Sequence, residues 1–113
     1  PERIHAGVSE LDLLNVSRLD FMAPDESRFP CLKLGREAAR TGDSAPVILN
    51  AANELAVAAF LSGALRFDQI PAIIYAVLQK QPVIKTGSLE EVLEEDRKAR
   101  ELGAGLIKLN AGF

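Results

Sequence analysis

A small all-α bundle of about four helices, led in by an extended N-terminal arm with at most one short strand, is the fold this sequence predicts. Three observations carry that expectation. Between Val47 and Leu61 only Asn50, Asn53 and Glu54 are polar, and a helix apolar on nearly every side has to be enclosed by other elements. Further segments on both sides of it place apolar residues at helical spacing between clear start and stop signals. The chain holds no convincing pair of strands, and a lone strand leaves its backbone groups unsatisfied.

Residues 1–27 read as an arm. Ile4, Val8, Leu11, Leu13, Leu14, Val16, Leu19 and Phe21 are scattered without a 3.6-residue rhythm, and 17–22 is the one stretch with a loose strand-like alternation. Such an arm is expected to lie against something else. Leu11, Leu14, Leu19 and Phe21 then form an apolar patch wherever that cover is missing.

Residues 28–113 read as the helical domain. The first helix spans about Pro30 to Arg40: Pro30 sits in the first turn, where a missing N–H costs nothing, and Gly42 provides a left-handed stop. Lys33, Arg36, Glu37 and Arg40 form its polar face, with Cys31, Leu34 and Ala38 opposite. The second helix, about Ala45 to Ser62, starts at Ser44 or, on a rival reading, at Asn50, and stops at Gly63. A third follows Asp68 as N-cap, with Pro71 in its first turn and Ile70, Ile73, Ile74, Val77 and Leu78 on one face; Pro82 forbids continuation past Gln81. The fourth opens on Ser88-Leu-Glu-Glu91, a capping box, and carries Leu89, Val92, Leu93, Ala99, Leu102, Leu106 and Ile107 as its stripe. Asp96 interrupts that stripe and is a candidate break. Gly103 and Gly105 each weaken the C-terminal half by roughly 1 kcal/mol relative to alanine, so fraying is expected beyond Leu102.

Composition narrows the function. The chain has 113 residues, 48% hydrophobic and 26% charged, with a net charge of −3; this is an ordinary globular profile without the basic patch that nucleic acid or an anionic membrane demands. No apolar run approaches the ~20 residues of a membrane span. One cysteine excludes an internal disulfide, and no signal peptide is visible, so a cytoplasmic setting is expected. The first residue is proline rather than methionine, which suggests a piece of something longer.

No constellation of catalytic, cofactor-binding or metal-ligating residues emerges, and none is assigned. Asn50, Asn53 and Glu54 share a face by spacing, yet Val57 and Leu61 continue it, so these polar groups are expected to tie down backbone rather than hold a ligand. A small-molecule pocket there is the weaker reading. His5 lies in the loose arm beside Ile4 and Gly7 and is expected at the surface. Cys31 near a helix start could be activated, but its apolar face predicts a buried, inert thiol. One histidine and one cysteine make no zinc site. Glu90, Glu91, Glu94, Glu95 and Asp96 occupy the first turns of a helix and precede Arg97, Lys98 and Arg100, the pattern of a solvated, charge-paired face. Gly103-Ala-Gly105 opens no strand-to-helix turn and is no phosphate loop.

Four blocks taken together resemble one family: Leu19-Asp-Phe21 with Ala23-Pro-Asp25; Arg28-Phe-Pro-Cys-Leu-Lys-Leu34; Leu49-Asn-Ala-Ala-Asn-Glu54 with Ala56-Val-Ala-Ala-Phe-Leu61; and Arg66-Phe67 leading to Ile70. In order and spacing they are similar to the C-terminal part of the 1-deoxy-D-xylulose-5-phosphate reductoisomerases, NADPH-dependent enzymes of the methylerythritol phosphate route of isoprenoid biosynthesis. The resemblance implies that NADPH and a divalent metal (Mg or Mn) are bound by domains preceding this stretch, that the partner of this chain is the catalytic domain, and that its own role is to brace. It also implies that the arm carries a strand joining the catalytic domain's sheet, with self-association through the arm as a possible consequence of its exposure. The alternative reading, independent of the resemblance, is a free-standing helical module whose arm adds a strand to a partner's sheet.

Overall fold

Asp25 marks where the arm ends and the bundle begins. Its carboxylate accepts the N–H groups of Ser27 and Arg28 at 3.1 Å each, while its carbonyl accepts the Phe29 N–H at 2.9 Å. This tight turn delivers the chain to Pro30 and the helix that follows. The computed structural model describes residues 2–4 and 6–110. Their elements are a single turn α1 (Leu13–Val16), α2 (Cys31–Thr41), α3 (Ala45–Leu61), a 3-10 turn (Phe67–Gln69), α4 (Ile70–Lys80) and α5 (Leu89–Asn110). The four long helices form the expected bundle, with α3 packed against α2, α4 and α5.

No strand occurs among the described residues, so the one short strand entertained at 17–22 is absent. That stretch is extended but has no neighbour to exchange hydrogen bonds with. Helical structure forms just before it instead: the Asp12 carboxylate accepts the N–H of Leu14 at 3.0 Å and of Asn15 at 3.4 Å, and Ser17 ends α1 with φ 55°. A local side-chain cap can be satisfied without a partner; a strand cannot.

The core is aliphatic. Ile48, Ile73, Ile74 and Val77 are fully enclosed, with Ala51, Ala52, Ala56 and Ala99 between them. Each large side chain contributes roughly 1.5–3 kcal/mol of burial, and the alanines let the helix backbones approach. Gly103 serves the same end. A Cβ at that position would lie 2.8 Å from Leu55 Cδ2, so this glycine gives the Leu55 side chain of α3 room to pack against α5. The predicted fraying past Leu102 and the predicted break at Asp96 are both overturned, since α5 runs unbroken to Asn110. Asp96 stays helical because Arg100, one turn on, holds its carboxylate at 2.7 Å.

The expected enclosure of α3 on every side also needs correction. Ala45, Ile48, Ala51, Ala52 and Ala56 are buried, but Asn50, Glu54, Ala58 and Leu61 form a stripe open to solvent. Three neighbouring helices cover only part of its circumference. Ser44 does precede the first residue of α3, as one of the two readings held, yet its hydroxyl does not cap the helix. It accepts the Ile84 N–H at 2.9 Å, and the Ser44 N–H donates to the Ile84 carbonyl at 3.0 Å. This fully buried serine thereby fixes the connection between α4 and α5. Asp68, expected as an N-cap, instead pairs with Arg66 at 3.0 Å, and the Gln69 side chain accepts the Arg66 N–H at 2.8 Å. The Ser88 cap on α5 forms as expected, with its hydroxyl accepting the Glu91 N–H at 3.2 Å, while the Glu91 carboxylate reaches back to the Gly87 N–H rather than to Ser88.

The two glycines of α5 should respond oppositely to a side chain. Gly105 has open space around a built Cβ, so Gly105→Ala is expected to raise stability by about 0.5–1 kcal/mol through helix propensity. Gly103→Val, forced into Leu55, should cost about 1–3 kcal/mol. Denaturant unfolding of the two variants checks this, and equal responses would contradict the packing of Leu55 against α5.

Candidate functional site

A half-open groove of about 630 Å³ lies between the start of α2 and the turn into α4. One wall is Ser27 to Cys31, held in place by the Asp25 turn and by a 2.6 Å ion pair between Glu26 and Arg36. The opposite wall is Phe67, Asp68, Ile70 and Pro71, and Asn53 and Val57 of α3 form the floor. Phe67 is fixed by an edge-to-face contact with Phe60, ring centres 5.7 Å apart. The Arg28 guanidinium lies over the Phe29 ring at 5.5 Å, within the range of a cation–π contact. The lining is mainly apolar with a few polar groups, the usual composition of a recognition surface.

The three polar residues of α3 do not act together. Asn50 and Glu54 face α5: the Asn50 amide donates to Glu54 at 3.4 Å, and Arg100 donates to the other Glu54 oxygen at 2.6 Å. Arg100, then Asn50, hold the Glu54 carboxyl below its ordinary value. Asn53 is turned about a quarter of the helix away and lines the groove, where it makes no hydrogen bond to a described residue. None of the three ties down backbone as expected. The spacing rule groups residues three and four apart, and here a small bundle divides that group between two neighbours.

Cys31 is exposed, which corrects the expectation of a buried thiol. It occupies the first position of α2, ahead of the buried pair Leu34 and Ala38, and it is one of the residues lining the groove. Partial burial raises its pKa, the opposite of what an activated nucleophile requires. His5 lies outside the described residues. Gly103 to Gly105 are interior to α5.

The acidic run is not uniformly solvated. Glu94 pairs with Arg97 at 2.7 Å on the exposed side, and Arg97 also reaches Glu101. Glu95, in contrast, is 3% exposed. Its carboxylate accepts the Gln81 amide at 2.9 Å and the Lys98 ammonium at 2.8 Å, and the same Gln81 amide donates to the Glu95 carbonyl at 3.0 Å. Lys98 and then Gln81 hold the Glu95 carboxyl below the usual range. Gln81 Oε1 is buried without a partner. No sequence signal separated Glu95 from its neighbours except its position four residues before Ala99, on the core side of the helix. Among the described residues no group of three His, Cys, Asp or Glu side chains is placed to hold a metal, and no helix is long and apolar enough to cross a membrane.

The chain is thus a four-helix bundle with an exposed apolar arm and a groove beside it. Comparison with known proteins gives its family. The model of the DXP reductoisomerase C-terminal domain matches residues 1–102, and the chain belongs to that family. It is 56% identical over 110 residues to the 1-deoxy-D-xylulose 5-phosphate reductoisomerase of Pseudomonas fluorescens, covering 97% of this chain and 28% of that protein. To the enzyme of Pseudomonas aeruginosa it is 54% identical over 112 residues, again 28% of the relative's length. Among solved structures, the reductoisomerase of Zymomonas mobilis in complex with NADPH superimposes with a TM-score of 0.83 at 38% identity, over 95% of this chain and 28% of that one. A DOX-P reductoisomerase in complex with magnesium gives 0.83 at 41% identity, over 98% and 30%. The chain thus spans under a third of the length of the relatives it matches.

Acid should weaken the hold of Lys98 and Gln81 on the Glu95 carboxylate. A carboxyl whose folded pKa lies below its unfolded value stabilises fully above the ordinary glutamate value of 4.5 and loses that contribution as pH falls through the folded pKa. Glu95→Gln keeps an acceptor for Gln81 and should flatten the stability loss below pH 4.5. Glu95→Leu removes the acceptor and should cost about 1–3 kcal/mol at neutral pH. Thermal unfolding across pH checks both; an unchanged acid limb in the glutamine variant would contradict the assignment.

Proposed function

We propose that this chain is the C-terminal part of a 1-deoxy-D-xylulose 5-phosphate reductoisomerase, with residues 1–27 as the connection from the catalytic domain and residues 28–113 as a helical domain that braces it. On this reading the whole enzyme performs the NADPH-dependent conversion of 1-deoxy-D-xylulose 5-phosphate to 2-C-methyl-D-erythritol 4-phosphate in the cytoplasm. NADPH and the divalent metal belong to the preceding domains, and no residue of this chain contacts the reacting atoms.

The observation that carries the bracing role is the arm. Leu14, Phe21 and Met22 are 90%, 88% and 93% exposed, and Leu11 and Leu19 are also open to solvent. A row of large exposed apolar side chains is what remains of an interface when its other half is absent.

Two measurements test this. The purified chain, supplied with NADPH, Mg²⁺ and 1-deoxy-D-xylulose 5-phosphate, should show no NADPH oxidation, and measurable turnover would overturn the reading. Leu19→Asp with Phe21→Asp should leave the unfolding of the chain alone unchanged. In the full-length enzyme the same pair should lower the melting temperature by several degrees, because it places charge in a buried contact. Equal behaviour in both contexts would show that the arm is uncovered in the enzyme.

A further inference from the structure

We infer that the groove at the root of the arm is a second contact with the catalytic part of the same polypeptide, and that it takes an extended main-chain segment carrying an apolar side chain. This rests on the bracing role proposed above and adds a site that the exposed arm does not by itself require.

Three observations converge. Asn53, partly buried, lines the groove, and neither its donor nor its acceptor is used by a described residue. Its neighbour Asn50, one turn away, is paired with Glu54. A carboxamide offers an N–H donor and a C=O acceptor side by side, the same pair that one residue of extended backbone presents in reverse. An unpaired amide in a groove that mixes apolar and polar side chains therefore suits peptide main chain better than a purely apolar ligand. Beside it, Val57, Ile70 and Pro71 leave room for an aliphatic side chain, and Phe29 and Phe67 form the rim.

The second observation is continuity. The wall Ser27–Cys31 follows the arm directly, with only the Asp25 turn between them. A body that covers Leu19 to Met22 comes up against the groove mouth within a few residues. The third is length. The relatives are more than three times as long as this chain, which covers 28% of them, so ample polypeptide is present in the same molecule at high effective concentration. An intramolecular segment fills the groove before any separate protein reaches it.

The test uses the full-length enzyme. Phe29→p-benzoylphenylalanine places a photoreactive ketone at the groove rim. Irradiation followed by peptide mass spectrometry should yield a link within one polypeptide to a segment preceding residue 1. Links only to residues of this chain, or a doubled mass from a second copy, would overturn the inference. Asn53→Leu preserves volume at a half-buried site, so the bundle should fold, while the yield of that link should fall several-fold; an undiminished yield would overturn the role of the amide. The unmodified enzyme gives an independent readout, since Cys31 on the same wall should react with iodoacetamide at least ten-fold more slowly in native than in urea-unfolded protein. Failure is distinguishable from failure of the bracing role. A reactive, unlinked groove in an active enzyme whose arm is protected sinks this inference alone, whereas turnover by the isolated chain sinks the other.

Discussion

Close approach of helix backbones at α3 is the constraint from which the rest of the structure follows. Ala51, Ala52 and Ala56 present methyl groups where larger side chains would hold neighbours apart, and Gly103 on α5 gives up even that. With the backbones near, a few large side chains suffice to fill the interior: Ile48 from α3 and Ile73, Ile74 and Val77 from α4. Packing at this density tolerates little change in volume. The chain has only five phenylalanines and one tyrosine, and the two aromatic rings in mutual contact, Phe60 and Phe67, lie near the groove and outside the buried core.

Polar groups then divide into those that seal the bundle and those left for another surface. Ser44 and Gln81 are the seals. Each is buried, and each holds the α4–α5 connection, the serine through Ile84 and the glutamine through Glu95. Glu54 and Arg100 join α3 to α5 at the surface, a contact worth little energetically because both groups are solvated. Asn53 belongs to the second class. It shares α3 with Glu54 but takes no part in that contact, and it lines the groove.

The helices were legible because their signals are local. Pro30, Gly42, Gly63, Pro71 and Pro82 punctuate the chain, and apolar spacing between them gives the faces that Leu34, Ala38, Ile73, Ile74 and Val77 occupy in the structure. What the sequence hid depends on which neighbour a residue meets. Glu95 looks like its acidic neighbours until Gln81 is placed beside it, and Gly103 looks like a helix weakness until Leu55 is seen 2.8 Å from its absent Cβ. Asn50, Asn53 and Glu54 read as one group along α3, but only the tertiary arrangement shows that α5 claims two of them and the groove the third. Cys31 misled for a related reason: helical periodicity places it under Leu34, but the first turn of α2 overhangs the bundle and carries it into the open.

The Ser44–Ile84 bond joins positions 40 residues apart, and α5 delivers Ala99 and Gly103 to a core otherwise assembled from α2, α3 and α4. During synthesis from the N-terminus the earlier helices therefore emerge with the side of Val77 that Gly103 faces still wet. The bundle locks only when the 22-residue α5 clears the ribosome and swings back over α3. Until that moment the nascent helices carry an open apolar face that a segment not yet made has to close.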